Sequence, residues 1–305
     1  MNILLFLLVV TGSALFWRAD ISPYFTPLAQ RPCACDRCVF EDDSLFMQGF
    51  GKFAEPFLSV NHNLSEDNFN RWKNLLGERR NFSAYRETVK RMFQLVPARA
   101  HVEASSPDRC RTCAVVGNSG NLMKSNYRPL IDSQDVVIRM NRGRTKGFEA
   151  DVGTKTTHHV MYPESAVGLD NTTRLVLFPF KIKDLHWVTK ALSTGFSGRK
   201  SNFKANKDLV MVLNPAFIKY VHDEWLQKKG SYPSTGFMTL VLALNICDEV
   251  HVFGYGADSD GNWSHYFEKL KNKKLKTGAH PGGEEYKMIL ELAKHQILKF
   301  YTGWR

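Results

Sequence analysis

The chain has the pattern of an α/β protein with right-handed crossovers between its strands, and is long enough for one large or two small domains. Three observations predict this. From Cys113 onward, short apolar runs alternate with helical patterns, the signature of strands joined by helices. The run Cys113-Ala-Val-Val-Gly-Asn-Ser-Gly-Asn121 passes from a buried strand into a glycine-rich turn that brings backbone close to a ligand. The 305 residues, 43% hydrophobic and 23% charged, can supply a sizeable core.

The first element is the apolar run from Ile3 to Trp17. As a helix, its 15 residues rise roughly 22 Å, less than the ~30 Å hydrocarbon core of a bilayer. Two readings fit. One is a signal peptide cleaved near Gly12-Ser13-Ala14. The other is a short uncleaved anchor suited to a thin early-secretory membrane. No Lys or Arg precedes the run and Arg18 follows it, so flanking charge does not orient it. Both readings put the remainder in the secretory lumen. Sequons at Asn63, Asn81, Asn171 and Asn262 agree with that, as does an even count of six cysteines. Residues 18–40 hold three prolines and three cysteines and read as a stem tied down by disulfides. A zinc site built from Cys33, Cys35, Cys38, Cys110 and Cys113 is the alternative.

Asn68 to Gln94 carries apolar residues at helical spacing (Phe69, Trp72, Leu75, Leu76, then Val89, Met92, Phe93), with an interruption over Gly77 to Ser83. Pro97 to Arg111 is a polar linker. Strands are predicted at Ala114–Gly117, Asp135–Met140, Arg174–Phe178, Asp208–Leu213 and Glu249–Gly254. Helices are predicted at Phe217–Lys228, Phe237–Ile246 and Glu284–Lys299. The Gly117 loop, Asn141 and Gly254-Tyr-Gly256 all follow strands, where α/β sheets bind ligands.

Candidate chemistry collects at a few places. Asn118, Ser119 and Asn121 offer polar groups in the Gly117 turn; an ordinary strand-to-helix turn is the bland alternative. Ser234, Thr235 and Gly236 open an apolar helix, whose free N–H groups suit a phosphate or carboxylate; a routine cap is the alternative. His265 and His280 sit in a polar, glycine-rich C-terminal stretch and could move protons, or simply lie on the surface. Glu285, five residues after His280, could hold its imidazole. His158 and His159 read as structural. The net charge of +11 fits attraction to an anionic substrate or membrane face, or a solvated basic surface. Apart from Lys269 to Lys276 the basic residues are scattered. No recognition helix, finger or aromatic–basic ladder points to nucleic acid.

Together these elements resemble the animal-type sialyltransferases. Cys113 to Met161 is similar to the family's large motif, including Arg139-Met-Asn141 and Gly147-Phe-Glu-Ala-Asp-Val-Gly-Thr-Lys-Thr-Thr-His-His159. Tyr232-Pro-Ser-Thr-Gly236 through Gly254-Tyr-Gly-Ala-Asp258 is similar to the small motif. His265-Tyr-Phe-Glu268 is similar to the third motif, and His280 with Glu285 to the very small one. The match spans roughly residues 30 to 305. Pro163-Glu-Ser165, Asn214 to Tyr220 and Ala257-Asp-Ser resemble the branch of beta-galactoside alpha-2,3-sialyltransferases acting on Gal-beta-1,3-GalNAc.

The resemblance implies a type II, single-pass Golgi membrane enzyme. Its signal anchor would be residues 1–17, its lumenal stem 18–40 and its lumenal catalytic domain 41–305, with possible secretion after cleavage. It implies a variant GT-A, Rossmann-like fold. The donor would be CMP-N-acetylneuraminic acid, a co-substrate rather than a cofactor, and the acceptor a galactose-terminated glycoprotein or glycolipid. The reaction inverts the anomeric carbon and uses no metal. His280 would be the general base and His265 would contact the donor phosphate. Asn118, Ser119, Asn121, Asn141, Ser234, Thr235, Gly236 and Gly256 would bind the donor. Tyr232, Tyr255 and Trp263 would lie near donor and acceptor. Disulfides Cys113–Cys247, Cys33–Cys38 and Cys35–Cys110 follow from the same resemblance. The branch's tyrosine and glutamine near the acceptor correspond here to Phe196 and Gly77, a departure that bears on acceptor preference.

Three rivals remain. A related enzyme could use another acceptor or linkage, such as Gal-beta-1,4-GlcNAc or a ganglioside. A weakly active homologue could bind glycans as a lectin, but a binding module needs no base such as His280. A metal-dependent transferase could use Asp258 and Asp260, although such a pair after a strand is more often a turn former.

Overall fold

The computed structural model describes residues 31–39, 54–61, 65–195, 203–258, 260–268 and 277–304. The apolar run Ile3 to Trp17, the sequon at Asn63, Phe196 and the basic run Lys269 to Lys276 lie outside them. Among the described residues no helix is long and apolar enough to cross a membrane.

Seven parallel strands form one sheet: β1 (Thr112–Val116), β2 (Val136–Met140), β3 (His158–Met161), β4 (Arg174–Leu177), β5 (Val210–Val212), β6 (Glu249–Phe253) and β7 (Lys299–Tyr301). Their order is β5-β4-β3-β2-β1-β6-β7. The chain therefore builds outward from β1 to β5, then returns to lay β6 on the other side of β1. That reversal opens a crevice beyond the carboxyl ends of β1 and β6, where ligands bind in such sheets. The register pairs Val116 with Phe253, which sets the Gly117 and Gly254 loops side by side at that crevice.

The helices are α1 (Glu66–Leu76), α2 (Phe82–Met92), α3 (Arg128–Asp132), α4 (Glu149–Val152), α5 (Ile182–Ser193), α6 (Pro215–Tyr220), α7 (Thr235–Ile246) and α8 (Gly282–Lys294). α7 is apolar on all sides because it is buried on all sides, packed across β1, β2, β3 and β6. α1 starts on Ser65, whose Oγ accepts the Asn68 N–H at 3.2 Å. It stops at Gly77, whose φ of +64° is the left-handed cap that glycine adopts without strain. Gly77 is thus explained by helix termination. Phe69, Trp72, Phe82 and Tyr85 fill the angle between α1 and α2, with ring centroids 5.2 to 6.4 Å apart.

The expectations need correction at four places. His158 and His159 lie in strand β3 itself. α5, amphipathic and buried through Leu185 and Val188, has no predicted counterpart. The helix expected to Lys228 ends at Tyr220 and continues only as a π-turn, Val221–Trp225. The helix expected to Lys299 ends at Lys294, because Gln296 takes φ +58° and turns the chain into β7.

The six cysteines pair as Cys33–Cys38, Cys35–Cys110 and Cys113–Cys247, which removes the zinc alternative. Cys113–Cys247 ties β1 to the end of α7. Residues 31–39 dock at the amino ends of the strands: Ala34 N–H donates to the Arg109 carbonyl and Val39 N–H to that of Asp248.

Candidate active site

The Gly117 turn is stitched to its neighbours. The N–H groups of Gly117, Ser119 and Gly120 donate to the carbonyls of Phe253, Gly254 and Ser264, at 2.8 to 3.0 Å. The N–H of Asn121 goes to Ser119 Oγ. Only the Asn118 N–H of this turn has no partner among the described residues. The turn is therefore less of an anion cradle than the sequence suggested. Its side chains divide the same way. Ser119 donates its hydroxyl to Gly256 O at 2.7 Å, and Asn121, 1% exposed, gives its amide to Tyr255 O at 2.7 Å. Both brace the loop from behind. Asn118, half-buried, anchors its amide on the Met140 carbonyl at 3.2 Å.

Asn141 ends β2 in the left-handed region, at φ +54°. His159 holds it there, since its Nε2–H donates to the Asn141 carbonyl at 2.7 Å. Ser165 donates to Asn141 Oδ1 at 2.9 Å and so fixes the side chain. Burial pushes the His159 imidazole below its ordinary basicity, which suits a neutral donor. Both positioning residues lie within or beside the matched motif, but only their packing reveals the role.

Ser234 caps α7: its Oγ accepts the Phe237 N–H at 3.0 Å. The N–H groups of Thr235 and Gly236 have no partner among the described residues, so the positive end of the α7 dipole is open. Tyr255 donates its hydroxyl to the Gly236 carbonyl at 2.8 Å and sets that turn against the Gly117 loop. Gly256, at φ +89°, leaves room for the Tyr286 ring, which in turn meets Trp263 edge-on at 6.5 Å.

A cleft of about 290 Å³ opens beside α7. Tyr162, Phe180, Asp184, Tyr232, Thr235 and His280 are among its walls. Tyr162 meets Phe180 edge-on at 5.4 Å, Phe180 meets Tyr232 at 6.2 Å, and Tyr232 meets His280 at 4.8 Å. His280 Nδ1 lies 3.3 Å from the Tyr232 carbonyl, which can only accept. The proton is therefore on Nδ1, and Nε2 carries the lone pair. Glu285 makes no hydrogen bond to this imidazole among the described residues and acts on it only through its charge. Its carboxylate is turned by the first turn of α8 onto Ser234. His265 is not in the cleft wall; it pairs with Ser119 across the Gly117 turn and its Nδ1 lies 2.9 Å from Glu268 Oε2. Sequence reasoning missed Tyr162, Phe180 and Asp184. Their only signal was position, each following the carboxyl end of β3 or β4.

Asp258 keeps both carboxylate oxygens in its own loop: Oδ1 accepts the N–H groups of Asp260 and Asn262, and Oδ2 the Ser264 hydroxyl. That is the turn-former geometry. Of the sequons, Asn81 is exposed while its Oδ1 caps α2, Asn171 is exposed, and Asn262 is half-buried.

A parallel sheet with a switch-point crevice, beside a cleft whose wall holds an open helix N-terminus and a histidine, has the architecture of an α/β enzyme. The chain belongs to glycosyltransferase family 29, the sialyltransferases, whose family model matches residues 57–297. It is 43% identical to the mouse (Mus musculus) CMP-N-acetylneuraminate-beta-galactosamide-alpha-2,3-sialyltransferase 1 over 288 residues, 90% of this chain and 85% of that one. Identity to the human (Homo sapiens) protein of that name is 40%, over 90% of this chain and 84% of that one. A crystal structure of a mammalian sialyltransferase in complex with Gal-beta-1-3GalNAc-ortho-nitrophenol superposes with a TM-score of 0.79 at 42% identity, covering 89% of this chain and all of that one.

Proposed function

We propose that the chain transfers N-acetylneuraminic acid from CMP-N-acetylneuraminic acid to the 3-hydroxyl of terminal galactose, on Gal-beta-1,3-GalNAc of glycoproteins or glycolipids. The bond from the anomeric carbon to the CMP phosphate breaks as the galactose hydroxyl attacks the opposite face, inverting that carbon. The hydroxyl proton passes to His280 Nε2. The observation that carries this reading is the His280 geometry: the Tyr232 carbonyl fixes the tautomer with its basic nitrogen available, in a cleft of substrate size. CMP leaves with growing charge on its phosphate. The open N–H groups of Thr235 and Gly236, and a ring N–H of His265, would stabilise that charge where it develops.

Such stabilisation makes a metal unnecessary, and the reading takes Asp258 as a loop former. The fold is then a variant of the GT-A arrangement. Residues 1–17 act as signal anchor, and the enzyme is a type II protein of the Golgi membrane with its catalytic domain in the lumen. The test incubates the enzyme with CMP-N-acetylneuraminic acid and excess chelator, and compares Gal-beta-1,3-GalNAc with Gal-beta-1,4-GlcNAc. Linkage-specific sialidase then reads the product. An alpha-2,3 product preferred on the first acceptor is expected; CMP release with no product on either would overturn the acceptor, and loss of all turnover to chelator the metal-free reading.

A further inference from the structure

A second cavity, of about 130 Å³, lies at the other end of the sheet, among the amino ends of the strands. Its polar walls are His158 at the start of β3, Arg174 at the start of β4, Arg111 just before β1, and His101 and Glu103 from the segment crossing below the sheet. The remaining walls are apolar.

The charges there do not cancel. Glu103 Oε2 accepts from Arg109 Nη1 at 2.7 Å and from Arg111 Nη2 at 2.6 Å, and Asp248 Oδ2 lies 3.8 Å from Arg109 Nε, so these two cations meet two carboxylates and Arg174 is in excess. Arg111 spends Nη1 on the carbonyls of Glu103 and Ile246. The Arg174 guanidinium has no hydrogen bond or ion pair among the described residues. Thr157 Oγ1 lies 3.1 Å from the Val137 carbonyl and 2.9 Å from His158 Nδ1; with its hydroxyl proton on the carbonyl, the ring donates from Nδ1. Nε2 is left as an acceptor with no protein partner among the described residues. Burial first, then Arg174 and Arg111, push this imidazole down to about 3, so it stays neutral beside its cations.

We propose that this cavity is an anion site for a phosphate group, bound by Arg174 and Arg111 while His158 Nε2 accepts a P–OH proton. The donor and acceptor pattern selects the ligand. The unpaired Arg174 guanidinium calls for an anion, and Arg111 adds positive potential beside it. An unprotonated imidazole nitrogen requires that the same anion also donate. A hydrogen phosphate does both; sulfate has the same shape but no proton to offer at neutral pH. The group can come from free phosphate or from the phosphomonoester headgroup of a lipid, which present the same chemistry. The site is separate from the cleft, so it stands or falls independently of the sialyl-transfer reading.

The test titrates the full chain with phosphate, sulfate and chloride at matched ionic strength, reading the melting temperature and the His158 ring resonance. Phosphate should raise the melting temperature saturably and shift His158. Sulfate should bind roughly fivefold more weakly, the scale of one lost hydrogen bond. Arg174→Gln should abolish the phosphate response while keeping the unliganded melting temperature, because its guanidinium has no partner to lose. A second arm uses dihexanoyl phosphatidate below its micelle concentration: tighter binding than phosphate assigns a lipid headgroup, equal binding assigns the free ion, and both support the site. A response equal for all three salts, one that persists in Arg174→Gln, or an unmoved His158 resonance at saturating phosphate overturns it.

Discussion

Glu285 receives both hydrogen-bond donors of Ser234 on one carboxylate: the backbone N–H at 2.7 Å and the hydroxyl at 2.6 Å. This joins the first turn of α8 to the first turn of α7. His280 stands just before one turn, and the open N–H groups of Thr235 and Gly236 lie in the other. The pair thus sets the distance between the proposed base and the proposed phosphate site. Glutamine at 285 would present an amide to one of two donors. Glu285→Gln should cost about 1–3 kcal/mol of stability. It should also lower kcat more than the KM for the donor, since the anion site survives but its spacing from the base does not. Calorimetry with steady-state kinetics checks both; an unchanged kcat at reduced stability would confine Glu285 to the fold.

Asp184 gives a pH signature. It is 2% exposed, its Oδ2 accepts the N–H groups of Phe180 and Lys181, and its Oδ1 is buried without a partner. Burial outweighs those two hydrogen bonds and pushes the carboxyl up to about 6 from 3.8. Between those values the folded chain keeps a proton that the unfolded chain has released. Stability therefore falls as pH rises through that window. Asp132 and Glu78, whose carboxyls are held low by backbone N–H groups, contribute the opposite slope at lower pH. The informative quantity is the difference between the wild type and Asp184→Asn. That difference should show the wild type losing stability relative to the variant from about pH 4 to 6. A flat difference curve would mean that Asp184 ionises as an ordinary carboxyl.

Much of this was legible in the sequence. β1, β2, β4, β5 and β6 carry apolar runs that composition reveals, whereas β3 opens on His158 and His159 and is not among the predicted strands; α7 is apolar on every face. The site residues with fixed spacing, from Asn118 to His280, could be found by pattern. What stayed hidden depends on three-dimensional proximity. α5 starts on Lys181, whose side chain cannot accept a backbone N–H; its first turn is held instead by Asp184, which accepts the Lys181 N–H at 2.8 Å, and by Glu78, 104 residues earlier in the chain, which accepts the Ile182 N–H at 2.7 Å. The partner of Glu285 lies 51 residues away, so spacing suggested His280 instead. β7 has only three residues and exists because β6 offers it an edge.

The two histidines should respond differently to removal. His280 lies in the cleft with Nε2 available, and His265 lies outside it beside the Gly117 turn. His280→Ala should lower kcat by roughly 10²- to 10⁴-fold, the range for a lost general base, with little change in CMP affinity. His265→Ala should lower kcat and weaken CMP together, because its proposed contact is to the phosphate. Single-turnover kinetics with CMP binding separates the cases. Wild-type turnover in His280→Ala would remove it as the base.

Two glycines of the site, Gly117 and Gly254, pack too closely for a side chain on Gly117. A methyl on Gly117 would lie 2.3 Å from the Gly254 carbonyl oxygen, the same oxygen that accepts the Ser119 N–H. Gly254, at φ +70°, is itself closely packed: a methyl there would lie 2.5 Å from the Leu122 side chain. Gly117→Ala must therefore part the two loops and loosen Asn118 and Ser119. The expected cost is about 1–3 kcal/mol, the range for overpacking, together with weakened CMP binding. Gly283→Ala is the matched control. It lies in the first turn of α8 with nothing within 4 Å of the added methyl and no left-handed backbone. Alanine there should raise stability by about 0.5–1 kcal/mol through helix propensity alone. Thermal unfolding of both variants, with CMP titration, decides whether contact between the loops or merely the presence of glycine governs the donor site. Equal and small effects at both positions would show that the Gly117–Gly254 contact does not hold the crevice.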